Sequence, residues 1–251
     1  MKKNVIWGIS AVIIFVIFML AKLPASQVLG RVSVGPNIGF YQVEGTLWQG
    51  AMARLSINGL PVEDVSWSIN PFALLLGQVS LEVRGGNIRD PELISVRGPV
   101  RFSLFNVNRV QTEGLQLYLP ADRALAKVAL PIPVQAGGRF KVSVSELDFG
   151  PQCHTLTGNG EWLNAWVGGT QGPIDLGNFS AALQCENNQL RIQVSEPNSL
   201  GLSLVSTISP DFQSFSVEGK FKPSDTLPNE VHQAGKFFGS PDAQGYTAFK
   251  L

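Results

Sequence analysis

Apolar and polar residues alternate along most of this chain, in short runs separated by glycine, proline and asparagine. In residues 65–69, for example, valine, tryptophan and isoleucine alternate with two serines. Because successive side chains of a strand point to opposite faces, this pattern predicts strands with one buried and one exposed face. The same alternation recurs in residues 47–57, 79–83, 100–104, 115–119, 140–144, 190–194 and 215–221.

Strands with one exposed face are typical of antiparallel sheets, and no rhythm of alternating strands and helices indicates a parallel sheet. Helical signals are short. Asn70 and Pro71 predict a turn of helix over residues 72–76, which Gly77 ends. Two weaker helical signals cover residues 121–128 and 229–238. We therefore predict an all-β fold, a curved antiparallel sheet or sandwich with a few short helices.

The proline-rich residues 130–133 are a candidate boundary within this β region. We expect two similar β halves, over residues 23–130 and 131–222. Residues 223–251 lose the alternation, and we expect them to form a weakly structured tail.

A continuous apolar run occupies residues 5–21, interrupted only by Gly8 and Ser10. As a helix it would be about 26 Å long, close to the hydrocarbon core of a bilayer at about 30 Å. Lysines flank the run, and their long side chains can reach the headgroups. We predict a transmembrane helix over residues 5–22. A cleaved signal peptide is the alternative, although its apolar core usually has about 7–15 residues.

Lys2 and Lys3 favour a cytoplasmic N-terminus, residues 1–4, because positively charged flanks are retained on the cytoplasmic side. No second apolar run approaches membrane length. The anchor and the signal-peptide hypotheses therefore both place the remaining chain on the far side of the membrane.

Charge argues against nucleic acid as a partner. The chain has 19 basic and 19 acidic residues, and charged residues make up 15% of it. Without Lys2, Lys3 and Lys22 the exported part has 16 basic and 19 acidic residues, a net charge of −3. Nucleic-acid-binding proteins usually carry a basic excess. With two histidines and two cysteines, we also expect no metal site and no cofactor.

The two cysteines, Cys153 and Cys185, both lie in the exported part. In an oxidising compartment an even pair of cysteines indicates a disulfide, which here would close a loop of about 33 residues. Two buried free thiols are the alternative.

Catalytic motifs are missing from the sequence. It contains no Gly-x-Ser-x-Gly elbow, no phosphate-binding loop and no His-Glu-x-x-His pair. His154 and His232 have no obvious serine or cysteine partner. We therefore expect a protein that is not an enzyme.

Four tryptophans, Trp48, Trp67, Trp162 and Trp166, lie within or beside predicted strands. Most of them are expected in the core. An exposed apolar groove or docking patch is the alternative.

Two segments carry a resemblance to a known family. Residues 43–50 read Val-Glu-Gly-Thr-Leu-Trp-Gln-Gly, and residues 65–79 contain the pattern Trp-x-x-x-Pro-x-x-Leu-Leu-x-Gly. With the single N-terminal anchor and the two late cysteines, the chain resembles the type II secretion system protein N family across nearly its whole length. The residues that carry the two motifs are Gly45, Thr46, Leu47, Trp48, Gly50, Trp67, Pro71, Leu74, Leu75 and Gly77.

The resemblance implies an accessory, non-catalytic component of the machine that exports folded proteins from the periplasm across the outer membrane of Gram-negative bacteria. It implies a single-pass inner-membrane protein whose C-terminal domain lies in the periplasm. The implied partners are the membrane and other type II secretion system subunits of the inner-membrane platform. The family has no known catalytic residues, so none is assigned.

The second segment also resembles parts of the AsmA-like proteins, whose curled antiparallel sheets carry lipid. This similarity supplies an alternative function, a periplasmic lipid-binding β groove. Alternate residues such as Val100, Phe102 and Leu104 would line that groove, and lipid is then an additional partner.

Overall fold

A computed structural model describes residues 2–31, 37–106, 108–127 and 135–250, with side chains from residue 7 onward. The strands are β1 (Ile38–Gly45), β2 (Gln49–Ile57), β3 (Leu60–Asn70), β4 (Gln78–Gly85), β5 (Ser95–Ser103), β6 (Val110–Thr112), β7 (Leu115–Pro120), β8 (Ala136–Phe149), β9 (Cys153–Gly169), β10 (Gly172–Glu186), β11 (Gln189–Val194), β12 (Ser203–Ile208), β13 (Phe215–Phe221) and β14 (Thr247–Lys250). The helices are α1 (Lys2–Ala21), α2 (Ala25–Leu29), α3 (Ala121–Leu125) and α4 (Asn229–Gly235), with 3₁₀ helices at Pro71–Leu76 and Lys236–Phe238.

All fourteen strands belong to one sheet, in which the order of the strands follows the chain. The exception is the pair β6 and β7, which lie end to end between β5 and β8 and each pair with both. The strands pair antiparallel throughout, as in β1–β2, β9–β10 and β13–β14. The prediction of an all-β antiparallel fold with a few short helices is confirmed. The strands form a single sheet, and the described residues contain no second sheet packed against it.

The strand register places apolar residues on one face, because directly paired residues of antiparallel strands share a face. One row of paired residues crosses seven strands through Val96, Leu117, Val142, Gly160, Ala181, Val194 and Leu204. A second row runs beside it through Leu119, Phe140, Trp162 and Phe179. The middle of the sheet therefore has one continuous apolar face.

Two clusters of buried side chains lie beside these rows. The first contains Met52, Val62, Val65 and Ile94, and the second contains Ala165, Ile174, Leu176 and Phe179. Leu117 and Leu119 pack against the first cluster, and Trp162 packs against the second. The apolar face thus connects two separate cores within one sheet.

Bulges interrupt the longest strands. The β8–β9 register shifts between Gly137 and Arg139 and again between Val144 and Glu146, and the β9–β10 register shifts around Gly177. An extra residue on one strand bends that strand and increases its twist. The longest strands therefore bend at these positions.

The boundary expected near residue 130 falls at residues 130–133, which lie outside the described residues. On either side of them the sheet is continuous, because β7 pairs with β5 and with β8. The expected halves thus contribute strands to one sheet.

The last part of the chain, expected as a weakly structured tail, contains α4, a 3₁₀ helix and β14, which pairs with β13. Phe221, Phe238 and Phe249 form an aromatic cluster there, with ring centroids 5.6 to 5.9 Å apart. These short elements have no long run of alternating residues, and the cluster joins positions that are distant in sequence.

The large apolar side chains of helix α1 are solvent-exposed. From Trp7 to Leu20 these side chains are about half or more exposed, with Trp7 at 77%. Within the described residues, no helix combines the length and the apolar character that crossing a membrane requires. The membrane span expected over residues 5–22 stays a prediction.

The expected disulfide is present between Cys153 at the start of β9 and Cys185 near the end of β10, with Cα atoms 5.6 Å apart. The backbone N–H of Cys153 donates to Asn188 Oδ1 at 2.9 Å, in the turn that follows β10. The disulfide joins β9 and β10, the two longest strands, at one end. The hydrogen bond connects that end to the turn between β10 and β11.

An ion pair lies at the same end of β8. The Arg109 guanidinium donates to both carboxylate oxygens of Asp148, and Gln111 Nε2 donates to Asp148 Oδ2 at 3.1 Å. The pKa of Asp148 lies below its usual value, because hydrogen bonds favour the charged carboxylate. The hydrogen bond from Arg109 has the larger effect and that from Gln111 the smaller one. The pair adds a charged contact between the β5–β6 connection and β8.

We expect the disulfide to contribute substantially to stability. The combined change Cys153→Ala and Cys185→Ala opens a loop whose ends are 32 residues apart in sequence. In the chain-entropy account, the loss in free energy of unfolding is about 3–4 kcal/mol. Urea unfolding of the full chain in detergent, followed by tryptophan fluorescence, measures it.

Reduced wild-type protein is the matched control, and it should unfold at the same urea concentration as the double variant. Identical unfolding of oxidised and reduced wild-type protein would contradict the expectation.

Candidate functional site

A cavity of about 430 Å³ lies on the apolar face of the sheet. Strands β7 to β12 supply its walls, so it spans the middle of the sheet. We call it the apolar trough. Its apolar lining consists of Leu117, Leu119, Phe140, Val142, Trp162, Phe179, Ala181, Leu183, Ile192, Val194, Leu202 and Leu204.

Small residues form the floor of the apolar trough. Gly160 of β9 and Ala181 of β10 are directly paired, and both lie between larger apolar neighbours in the first register row. A Cβ added to Gly160 would lie 3.6 Å from Ala181 Cβ, which is ordinary contact distance. The floor is low because these two positions carry almost no side chain.

Trp162 is the largest side chain in the apolar trough. Its ring centroid lies 5.4 Å from that of Phe140 and 5.5 Å from that of Phe179. Its indole N–H donates to the backbone oxygen of Gly137 at 2.9 Å, so the one polar group of the ring is satisfied. The three rings therefore present an apolar wall without an unpaired donor.

The lining is open on one side. Phe179 is buried at 5% exposure, and the other lining side chains are half-buried. A surface of this kind stabilises an apolar ligand chiefly by removing apolar area from water, at about 25 cal/mol per Å². An acyl chain or an apolar segment of a protein fits that chemistry.

Lys141, Glu161 and Ser180 also border the cavity, but they alternate with the apolar residues along their strands, so their side chains project to the opposite face. Lys141 and Glu161 are directly paired, alternate with Val142 and Gly160, and form an ion pair. The pKa of Lys141 is raised, chiefly because its ammonium donates a hydrogen bond to Glu161 and also because the two opposite charges attract. The trough side of the sheet is thus apolar and the reverse side is charged.

Val100, Phe102 and Leu104, expected to line a lipid groove, do not line the apolar trough. Val100 pairs with Leu81, and Phe102 pairs with Val79 and Val110, towards the end of β5. Within the described residues, no group of three or more His, Cys, Asp or Glu side chains is placed to hold a metal ion.

Residues 45–50 form the tight connection between β1 and β2, which we call the junction turn. Gly45 has φ of +84°, a left-handed conformation that glycine adopts readily. The backbone N–H of Thr46 donates to the Gln49 oxygen at 2.8 Å, and the Gln49 N–H donates to Thr46 Oγ1 at 3.2 Å. The glycine and threonine of the first motif therefore build a turn.

The junction turn holds the end of helix α1. Trp48 Nε1 donates to the backbone oxygen of Leu20 at 2.7 Å, and the Leu47 N–H donates to the Leu23 oxygen at 2.9 Å. Pro24 forms an isolated bridge with Thr46. Three contacts thus connect residues 20–24 to residues 46–48, so the turn fixes where the helix meets the sheet.

The two sequence motifs meet at this turn. Trp67 Nε1 donates to the Leu47 oxygen at 3.0 Å, and the Ile69 N–H donates to the Trp48 oxygen at 2.7 Å. Gly50 lies under the Trp67 ring, where an added Cβ would be 2.3 Å from Cζ2. The absence of a side chain at Gly50 is what allows the ring to reach the turn.

The second motif continues into the 3₁₀ helix Pro71–Leu76. Asn70 Oδ1 accepts from the Phe72 N–H at 3.0 Å, which caps the helix, and Gly77 ends it at φ of +71°. Leu74 is half-buried, whereas Leu75 is 83% exposed. The helix was expected from its start and stop residues.

The apolar trough was not predicted from the sequence. Its lining comes from six strands, of which only β7, β8 and β11 had an alternation recognised in the sequence, and which residues face one another depends on the pairing register. The pairing of Gly160 with Ala181 has no signal in either strand alone. The position of Trp162 in an apolar groove matches the alternative proposed for the tryptophans, and Trp48 and Trp67 instead fix the junction turn.

The geometry defines a class of protein: an open antiparallel β domain with an apolar face, joined through a tryptophan-containing turn to an N-terminal helix. Residues 36–250 match the family model described as type II secretion system (T2SS), protein N. The chain belongs to the type II secretion system protein N family, whose members are secretion-system components.

Relatives named type II secretion system protein N align over almost the whole chain. The Vibrio cholerae serotype O1 protein is 27% identical, over 99% of this chain and 98% of that protein. The Aeromonas hydrophila protein is 27% identical, over 98% and 96%, and the Pectobacterium carotovorum protein is 25% identical, over 98% and 95%. No solved structure matches the chain.

We expect Gly50→Ala to destabilise the domain. The added Cβ would lie 2.3 Å from the Trp67 ring and 2.6 Å from the Glu44 backbone oxygen. Overpacking of this kind costs about 1–3 kcal/mol of unfolding free energy. Gly160→Ala is the matched control, because its Cβ meets only Ala181 at 3.6 Å. Urea unfolding curves of the two variants compare them, and equal midpoints would count against the packing argument.

Proposed function

We propose that this chain is a non-catalytic accessory component of the type II secretion system, held at the inner membrane by α1 and acting in the periplasm through contacts with other secretion subunits. Its membership of the family carries the proposal, since the match covers residues 36–250. The described surface favours a role in binding, because its most distinctive features are the apolar trough and the exposed apolar side chains of α1.

The anchor is supported by the exposure of α1. The helix spans Lys2–Ala21, and every large apolar side chain from Trp7 to Leu20 is about half or more exposed. Exposed apolar side chains around a helix are unfavourable in water and favourable in lipid. Lys22 follows the helix, at the position where a lysine side chain reaches the headgroups.

Contacts with other subunits are supported by the sheet edges. β1 and β14 end the sheet, so each carries one edge without a partner strand in the described chain. An unpaired edge can accept a strand from another protein through backbone hydrogen bonds. We propose that one of these edges contacts a subunit of the inner-membrane platform.

The test is complementation of a strain that lacks this gene. The full chain should restore secretion, and a form in which a cleavable signal peptide replaces α1 should restore less, because the domain is no longer held at the membrane. Replacement of α1 by an unrelated single-pass helix is the matched control and should restore secretion. Equal secretion by all strains, including the deletion, would refute the proposal.

The same strains allow two further measurements. A periplasmic reporter fused behind the last residue should be active, and crosslinking in secreting cells should join the chain to other secretion subunits. Reporter activity in the cytoplasm alone, or no crosslink to any secretion protein, would contradict the proposed location or role.

A second candidate function is lipid binding in the apolar trough. The observation that favours it is the lining of a cavity of about 430 Å³ by apolar side chains that are half-buried. The three rings around Trp162 leave no unpaired donor facing the cavity. An acyl chain would cover this surface without leaving a polar group unsatisfied.

Ala181→Trp tests the lipid hypothesis, because the new ring would project from the floor into the apolar trough. We expect the variant to lose lipid that co-purifies with the wild-type chain, measured by native mass spectrometry after gentle extraction. Ala182→Trp is the matched control, since Ala182 is exposed and pairs with Asn159 and Gln193 on the reverse face. Lipid retained equally by both variants, or absent from the wild-type protein, would reject this function.

A further inference from the structure

Four large apolar side chains at one end of the sheet are almost fully solvent-exposed. In the 3₁₀ helix Pro71–Leu76, Phe72 is 76% exposed, Leu75 is 83% exposed and Leu76 is 78% exposed. Phe105, in the β5–β6 connection, is 91% exposed. We call these four residues the apolar tip. Such exposure at neighbouring positions indicates a surface that another apolar phase covers.

The apolar tip is one unit, although its residues come from two connections. The Leu104 N–H donates to the Gly77 oxygen at 2.9 Å. An added Cβ on Gly77 would lie 2.3 Å from Cε2 of Phe105, so the Phe105 ring rests against the end of the 3₁₀ helix. Gly77 also has a left-handed φ of +71°, a conformation that glycine adopts readily and residues with a side chain rarely adopt.

The apolar tip lies beside the point where α1 joins the sheet. Trp48 connects them: its indole N–H donates to the Leu20 oxygen at 2.7 Å, and its backbone oxygen accepts from the Ile69 N–H at 2.7 Å. Asn70, the next residue, caps the 3₁₀ helix. Through these two hydrogen bonds, Trp48 connects the end of α1 to β3, the strand that leads into the apolar tip.

The tip carries no charge that would oppose contact with lipid. Residues 70–80 and 102–106 contain no Asp, Glu, Lys or Arg. Burying a charged group in an apolar phase is costly, whereas leucine and phenylalanine favour the boundary between headgroups and acyl chains. Lys22, exposed at the end of α1, is placed among the headgroups in the same arrangement.

We propose that the apolar tip inserts into the surface of the membrane that holds α1, as a second contact between the domain and the bilayer. The inference rests on the proposed anchoring by α1, because that helix brings the tip to the bilayer. A single helix leaves a domain free to rotate about its axis. A second contact beside it sets the tilt of the sheet, and with it the direction in which the apolar trough faces.

Depth-dependent quenching tests the proposal on the full chain. Leu75→Cys is labelled with an environment-sensitive nitrobenzoxadiazole dye under non-reducing conditions, which keep the native disulfide closed. The labelled chain is reconstituted into vesicles of phosphatidylethanolamine with a smaller part of phosphatidylglycerol, with or without a lipid that carries a nitroxide just below the headgroup. Mass spectrometry confirms one label per chain.

Two matched variants complete the experiment. Phe237→Cys is the control for an exposed apolar position away from the bilayer, since Phe237 is 80% exposed and lies beside β14 at the opposite edge of the sheet. Phe15→Cys, in the middle of α1, reports on the anchor independently. Circular dichroism of the three variants confirms that the sheet has formed.

The expected result is a blue shift and a loss of fluorescence in nitroxide vesicles for the label at position 75, with neither change at position 237. A label at position 75 that behaves like that at position 237, while the label at position 15 is blue-shifted, overturns the tip proposal and leaves the anchor standing. Water-like emission at positions 15 and 75 together overturns both. Equal quenching at positions 75 and 237 indicates non-specific adsorption and also overturns the tip proposal.

Discussion

A single sheet with one apolar face is the constraint on which the rest of this structure depends. Such a face is normally covered by a second layer, and over the apolar trough the described residues supply none. Its side chains are therefore half-buried, and Phe179 alone among them is buried. Stability then comes from neighbouring side chains along the register rows, from the two small clusters beside them and from the Cys153–Cys185 bond. The same constraint leaves a surface that a lipid or another protein can cover.

The junction turn connects this sheet to the N-terminal helix, and it explains in structural terms the two sequence segments on which the predicted resemblance rested. Trp48 and Trp67 use their indole N–H groups to bind backbone oxygens of Leu20 and Leu47, and Gly50 leaves room for the Trp67 ring. In this structure each of these residues makes a structural contact. They hold the direction of a helix relative to a sheet, which is a useful role in a component proposed to work by contact at a membrane.

Much of the fold was predictable because its signals are local. The alternation of Val65, Trp67 and Ile69 predicts a strand whatever it pairs with, and Asn70, Pro71 and Gly77 start and stop a 3₁₀ helix through their own backbone preferences. The disulfide followed from a pair of cysteines in a chain predicted to be exported. At the end of the chain, the helical signal over residues 229–238 matched α4 and the 3₁₀ helix, whereas β14 was not predicted, because its pairing with β13 and the contact among Phe221, Phe238 and Phe249 join distant positions.

By itself, then, the sequence determined many of the strands, the short helical turn, the cysteine pair and the family, since each depends on residues within one segment or on overall resemblance. Only the tertiary structure decided that Gly160 faces Ala181, that Trp162 stacks between Phe140 and Phe179, and that Trp48 reaches Leu20. The physical reason is register. A shift of one residue turns every side chain of a strand to the other face, and no single strand contains the information that selects its partner's alignment.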